Sequence, residues 1–398
     1  MNVLGKCGPL VLGTAMARFG KHLDGSHWRD RVRRVAGQAL AQANLEPGDI
    51  DALVVGNESD AVSLQVNPSP VVASDIGLTH CPAMRVEGGG ASGALALRAG
   101  VLHVLSGLAR RVLVVGFDDA ASRLEGADTR LLYALSFDTD VEGLAGASAA
   151  ALYALSIAGH MRRHGTTERQ MAAVAVKNRG HARFNPDAHK PMDITLDDVM
   201  RSPRVSTPYK RLDCSLLSDG AAAIVLCAPD AAPRSERARV RISGSGCASD
   251  RVRLGDRPRP DRFDAKTAAA RQAYAQAGIT DPALQIHVAE VYDAFSGAEI
   301  QALEALDLVA EGQGGPAMAA GEFGRDARLP VNLSGGLMGQ GGSPGAVGIA
   351  QAVTVARLLG GDYHPGAQPA RSLRHGLADA HGGVGTLCAV HVFERLDP

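Results

Sequence analysis

Two glycine-rich turns carry the groups on this chain best suited to hold a developing negative charge. RVEGGGASG (85–93) reads as a strand end followed by an apolar helix. The amides of Gly90 and Ala91 would then lie at a helix N-terminus, where unsatisfied N–H groups favour an anion. HGGVG (381–385) leads into a second strand, so the amides of Gly382 and Gly383 lie in a glycine loop that can aim at the same kind of oxygen. Tyr292 and Asp293 in EVYDAF (290–295) are candidate acid/base groups. A phenol titrates near pH ~10, so Tyr292 serves as a base near neutrality only beside positive charge or a donor; otherwise it gives a proton or hydrogen bond without ionising. It also reads as a tyrosine closing a core strand with its hydroxyl at the surface. Asp293 reads as catalytic or as the cap of a helix starting near Ala294. His381, the one histidine placed in these segments, and Ser343, a small polar group on the second elbow, are further candidate catalytic residues, whereas Ser92 belongs to an ordinary helix start. Glu87 can bond Arg85 or face a pocket, and Asn332 holds the glycine turns.

The elements that must position these groups are written twice. A helix over 32–43 leads through a turn into a strand at 52–56, and a helix over 268–277 leads likewise into 286–291. Apolar helices over 91–106 and 345–359 follow the two elbows, and buried strands at 111–116 and 385–393 come next. This alternation predicts sheets covered by helices on both faces. Residues 119–203 break the repeat with helical segments at 148–164 and 171–178 and a polar stretch at 179–193. Lys177, His181, Arg183, His189 and Lys190 there could meet phosphate or remain solvated.

In this order, the segments resemble the thiolase superfamily. RVEGGGASG is similar to the nucleophile motif Asn-x-x-Cys-Ala-Ser-Gly, with Gly90 at the cysteine. NLSGGLMGQGGSPGAVG (332–348) is similar to the segment bearing Gly-His-Pro, with Gly342 at the histidine. EVYDAF resembles the Asn-Glu-Ala-Phe or His-Asp-Cys-Phe element with Tyr292 in first place. HGGVG resembles the terminal Cys-x-Gly-Gly loop, whose cysteine falls near Asp379, and RLDCSLLSDGAAA (211–223) adds a fifth match. The resemblance implies an α/β thiolase fold, two duplicated βαβαβαββ halves in a five-layered α-β-α-β-α arrangement. Its halves would be 1–118 with 204–232 and 233–398, and residues 119–203 would be a loop domain over acyl-CoA.

The same resemblance implies a coenzyme A thioester as substrate, with no permanently bound cofactor and no metal. Without the thiol there is no covalent acyl-enzyme, whereas backbone donors can still stabilise a thioester enolate. The chain is similar in this to the thiolase-like aldolases of steroid side-chain degradation, the branch of sterol carrier protein X and the lipid-transfer-protein-type enzymes, which carry a Tyr-Asp pair. Retro-aldol cleavage of a bulky β-hydroxyacyl-CoA is the expected reaction, bulky because glycine at 90 and 342 removes side-chain volume. The alternatives are acetyl-CoA acetyltransferase-type acyl transfer without a covalent intermediate, and a non-catalytic acyl-CoA-binding subunit. A homodimer joined near the strand after Cys81 is implied, with an acyl-CoA-associated partner built of an OB-fold and a zinc ribbon.

Composition sets the outer limits. A chain of 398 residues, 45% apolar, can bury one large core or two medium ones, and a formal charge of −1 offers no basic face for nucleic acid or polybasic run for a membrane. Six cysteines without CxxC spacing fit a cytoplasmic protein better than an exported one. The apolar start at 6–17 mimics a short signal peptide, but Gly8, Pro9 and Gly13 break it, and a first core strand is the reading adopted.

Overall fold

The computed structural model describes residues 4–22, 26–232 and 240–396. Its strands are β1 (Leu10–Met16), β2 (Ala52–Gly56), β3 (Ala83–Val86), β4 (Arg111–Asp119), β5 (Arg204–Ser206), β6 (Tyr209–Lys210), β7 (Asp219–Cys227), β8 (Val240–Ser249), β9 (Val288–Glu290), β10 (His375–Gly382) and β11 (Leu387–Arg395). Nine of them hydrogen-bond in the order β3-β2-β4-β7-β1-β8-β11-β10-β9. The duplication is visible in the pairing. β2 and β4 are parallel, β4 and β7 antiparallel, β7 and β1 antiparallel; β9 and β10, β10 and β11, and β11 and β8 repeat that series. The halves meet at one pairing, Leu10 with Arg241. The second copy of β3 shrinks to an isolated parallel bridge between Ala289 and Val331.

Five layers follow from where the helices pack. Helix Trp28–Gln42 covers β1, β4 and β7, and helix Asp264–Ala277 covers β8 and β11. The elbow helices Ser92–Leu105 and Pro344–Gly360 lie between the two half-sheets, in contact with each other and with strands of both halves. Trp28, Val32, Val35, Ala36 and Ala39 form the buried stripe of the first outer helix at helical spacing. Pro344–Gly360 is buried on nearly every side, as a central helix must be.

The elbow helices cross over glycine. A Cβ on Gly116 would stand 2.0 Å from the Gly345 carbonyl oxygen, and one on Gly93 2.7 Å from that same atom. Backbone cannot retreat as a flexible side chain can, so Gly116→Ala should lower stability by about 1–3 kcal/mol. Thermal unfolding checks this, with the exposed Gly48→Ala as control.

One expected strand was misplaced. The strand after the second elbow helix is β10, and 387–395 is its antiparallel neighbour, so His381 belongs to the end of β10 rather than to a free loop. The residues of β10, HGLADAHG, are small and weakly β-forming; burial on both sides, not propensity, makes them a strand. Between β4 and β5 the chain leaves the sheet for helices that include Ala149–His164 and Glu168–His181, capped by Ser148 and Thr167. The expected boundary at 232/233 touches residues outside those described.

Three buried groups set a pH response. Burial pushes His391 down to about 4, Nε2 facing the Ala94 carbonyl at 3.0 Å, and pushes His181 down to about 3. Both folded values lie below the ordinary ~6.5, so as pH falls the unfolded chain takes up protons first and stability is lost from about pH 6.5 downward. Glu290, raised by burial to about 7, works the other way, losing stability as pH climbs from its ordinary value. Comparing His391→Gln with wild type isolates one histidine. The stability difference should move in the variant's favour by about 3 kcal/mol between pH 7 and pH 4 in denaturant titrations.

Candidate active site

The chain ends of β2, β3, β4, β9 and β10 converge, and the parallel strands deliver their carboxyl ends to one place, as open α/β sheets do around a ligand. A cavity of about 240 Å³ lies there. Its polar lining includes Glu58, Tyr133, Tyr153, Tyr292 and His381, with Gly90 and Gly342 beside them. Phe137, Leu216, Leu217, Phe295 and Leu337 give it apolar walls.

Gly90 and Tyr292 interlock. A Cβ on Gly90 would come 2.3 Å from Tyr292 Oη and 2.5 Å from the His381 carbonyl oxygen. The phenol hydroxyl therefore occupies the space that a side chain at position 90 would need. This corrects the expectation that glycine at 90 widens the pocket. Gly342 also gives less room than expected, because a Cβ there would meet the Leu216 carbonyl at 3.1 Å. Tyr292 is fixed through its backbone: its N–H donates to Asp379 Oδ1 at 3.1 Å, and Asp379 is ion-paired with the fully buried Lys266. Burial, then the nearby carboxyls of Glu58 and Asp293, hold the phenol above its ordinary range. No described residue hydrogen-bonds its hydroxyl. At neutral pH Tyr292 is an uncharged phenol, and of the two catalytic options the sequence left open, the base is disfavoured.

His381 is set beside it, the two rings 4.7 Å apart. The Tyr153 hydroxyl donates to the Gly383 carbonyl at 2.6 Å and stands 2.7 Å from His381 Nε2. A carbonyl can only accept, so the one phenolic proton goes to Gly383 and Nε2 must carry the N–H. His381 Nδ1 is left with a lone pair, buried and without a partner. Burial, helped by Lys266 and Arg257, holds this ring well below the ordinary histidine range, so it is neutral in the resting site. Tyr153→Phe frees the tautomer and should slow any reaction using Nδ1 by about tenfold to a hundredfold. Steady-state kinetics on the folded variant would check it.

The other expected site residues separate. Gly90 and Gly383 line the cavity, whereas the Ala91 amide is spent on the Gly88 carbonyl at 3.1 Å and Gly382 packs against Gly88. Asp293 lies outside the cavity lining; its carboxyl accepts from the Leu337 amide at 2.6 Å and Asn178 Nδ2 at 2.7 Å. Ser343 is buried at the head of the second elbow helix, 3.4 Å from the Asp118 carbonyl. Asn332 ties the glycine turn to the Val291 amide and Glu299, and Ser92 holds the first elbow through Gly88 and Gly89. Glu87 accepts from the Gly89 amide, leaving Arg85 to pair with Asp60.

None of the five proposed phosphate ligands lines the cavity. Lys177 pairs with Glu299, Arg183 with Asp193, His181 faces the Asn332 carbonyl, and His189 bonds Ser218. The cavity lining also holds no cysteine; Cys388, in β11, is pushed up to about 12 by burial.

Sequence reasoning missed Glu58, Asp118 and Tyr153. Glu58 had a usable signal, since it stands two residues beyond the parallel strand β2, at the edge where such sheets bind ligands. Tyr153 had none, being one apolar-facing residue of an alanine-rich helix.

Residues 10–230 match the family model described as "Thiolase, N-terminal domain", and residues 246–395 match "Thiolase C-terminal domain-like". The chain belongs to the thiolase family. It is 38% identical to an acetyl-CoA acetyltransferase of Methanothermobacter thermautotrophicus, over 97% of this chain and 99% of that one. It is 29% identical to the 17-hydroxy-3-oxo-4-pregnene-20-carboxyl-CoA lyase of Mycobacterium tuberculosis, over 94% and 97%. A solved structure titled Ltp2-ChsH2(DUF35) aldolase matches with a TM-score of 0.81 and 26% identity over 98% of both chains. Among the described residues no helix is long and apolar enough to cross a membrane.

Proposed function

We propose that this chain is an acyl-CoA lyase that breaks the Cα–Cβ bond of a β-hydroxyacyl-CoA by retro-aldol chemistry. The observation that carries it is the Tyr292 hydroxyl standing in the space a side chain at position 90 would fill. A group that cannot hold an acyl chain as a thioester, but can give a proton, suits a reaction that needs no acyl-enzyme. His381 Nδ1 takes the β-hydroxyl proton as the Cα–Cβ electron pair moves onto Cα. The β-carbon leaves as a ketone or aldehyde, and the thioester enolate takes its proton from Tyr292. The imidazolium and phenolate so formed face each other across 4.7 Å between ring centres and return the proton, which resets the site. The Gly90 amide and the Gly383 loop supply backbone dipoles to the enolate oxygen. Asp293 and Ser343 hold the two turns in place and take no part in the transfer.

The lyase and aldolase relatives support this reading, and the aldolase's DUF35 partner supports a companion subunit here; the homodimer rests on the family resemblance alone and the cytoplasmic location on the cysteine pattern. Residues 119–203 serve as the loop domain over the CoA chain. The acetyltransferase relative favours a second reading, acyl transfer directly to CoA without a thiol. One assay separates them. Purified protein, offered β-hydroxyacyl-CoA and β-ketoacyl-CoA panels with and without free CoA, should cleave a hydroxyacyl-CoA independently of added CoA. Cleavage that depends on CoA would support transfer instead.

A further inference from the structure

Glu58 is a buried carboxyl that the reaction above leaves unused. It lines the cavity with Gly90 and Tyr292 and also an adjoining hollow of about 340 Å³ formed with Gly88, Gly89 and Gly382. It thus stands where the first elbow meets the terminal glycine loop. Its Oε2 is enclosed and has no hydrogen-bond partner, and no cation pairs with it among the described residues. The groups facing it are Asp118 from β4, Glu87 from the first elbow, Tyr133 from helix Gly126–Ala134 and Tyr292 beyond β9.

Asp118 takes the available donors. It accepts from Asn57 Nδ2 at 2.7 Å, the Glu58 amide at 3.1 Å and the Gly345 amide. Two buried carboxyls side by side with no cation cannot both ionise: burial raises Asp118 to about 7 even with its three donors, and Glu58, which has none, holds its proton more firmly. Burial and the neighbouring Asp118 accordingly raise Glu58 well above the ordinary carboxyl range. A carboxyl that keeps its proton is a hydrogen-bond donor, and burial strengthens such a donor.

We propose that the Glu58 carboxyl donates a hydrogen bond to the thioester oxygen of the bound acyl-CoA, adding a side-chain donor to the backbone amides that hold the enolate. This rests on the acyl-CoA reading but not on the cleavage step. The donor contact polarises the thioester carbonyl in the ground state, so it can be read without turnover. The probe is acetyl-CoA labelled with ¹³C at the thioester carbonyl, bound to the intact protein and followed by infrared difference spectroscopy. The carbonyl band should move to lower wavenumber in wild type and in Glu58→Gln, which retains an N–H donor, and should not move in Glu58→Met, which fills the space without one. With a β-hydroxyacyl-CoA that wild type cleaves, Glu58→Met should turn over about 10²–10³-fold more slowly and Glu58→Gln within about tenfold of wild type. A band shift unchanged in Glu58→Met, or lost equally in Glu58→Gln, would overturn the assignment. Should Glu58→Met not fold, the wild-type difference spectrum decides alone: a perturbed protonated-carboxyl band, absent in Glu58→Gln, supports the donor, and no such band overturns it. Absence of cleavage by wild type would count against the lyase and leave the band result standing.

Discussion

Tyr292→Phe should lose carbon–carbon cleavage by about 10²–10⁴-fold while the protein stays folded. Both halves of that expectation come from the same geometry. The hydroxyl has no hydrogen-bond partner among the described residues, so removing it breaks no internal bond and leaves the tilted ring against His381 in place. Stability should change by less than about 1 kcal/mol, because no buried donor or acceptor is left orphaned. The rate should collapse because the enolate loses its proton source and His381 has no phenolate to which it can return the proton. Parallel thermal melts and single-turnover cleavage assays decide it. A variant equally stable and equally active would show that the hydroxyl only fills space.

Gly90→Cys should fail to restore a thiolase. The family comparison alone suggests the opposite, since it puts back the missing nucleophile in an intact elbow. In the folded chain a Cβ at that position meets Tyr292 Oη at 2.3 Å and the His381 carbonyl at 2.5 Å, one of them backbone that cannot swing aside. Overpacking of this kind costs about 1–3 kcal/mol and displaces the very phenol the lyase needs. The expected result is a less stable protein with no CoA-dependent thiolysis and a loss of cleavage comparable to that of Tyr292→Phe. Adding Tyr292→Ala should recover neither stability nor cleavage, because the His381 carbonyl still meets the new Cβ and a buried ring is lost. A single Gly90→Cys variant of wild-type stability that gained CoA-dependent cleavage would contradict the interlocked pair.

The duplicated fold was legible because its grammar repeats locally: an amphipathic helix, a turn, a buried strand, then a glycine elbow. Where local signal was thin, reading failed. HGLADAHG carries no β-branched residue and became a strand only through burial between neighbours, so β10 was overlooked and His381 was placed in a loop. The candidate site was legible as a set of residues and not as a set of contacts. Gly90, Tyr292 and His381 were singled out, yet nothing in their spacing says that the phenol of one fills the side-chain volume of another. That fact depends on how β9 and β10 lie against the first elbow. Asp293 shows the converse: its adjacency to Tyr292 suggested a pair, but its carboxyl secures the short helix 336–339 and does not line the cavity. Glu58 was passed over because a lone carboxyl after a strand is ordinary until its missing partners are seen.

Intact-protein mass spectrometry on wild-type protein, acid-quenched during turnover of a β-hydroxyacyl-CoA, tests the central claim most directly. The arrangement of Gly90, Tyr292 and His381 predicts an unmodified chain mass at every time point while ketone or aldehyde and shortened acyl-CoA accumulate. A transient mass increase equal to the acyl group would reveal a covalent acyl-enzyme and contradict the assignment of Tyr292 as a proton donor in the nucleophile's place.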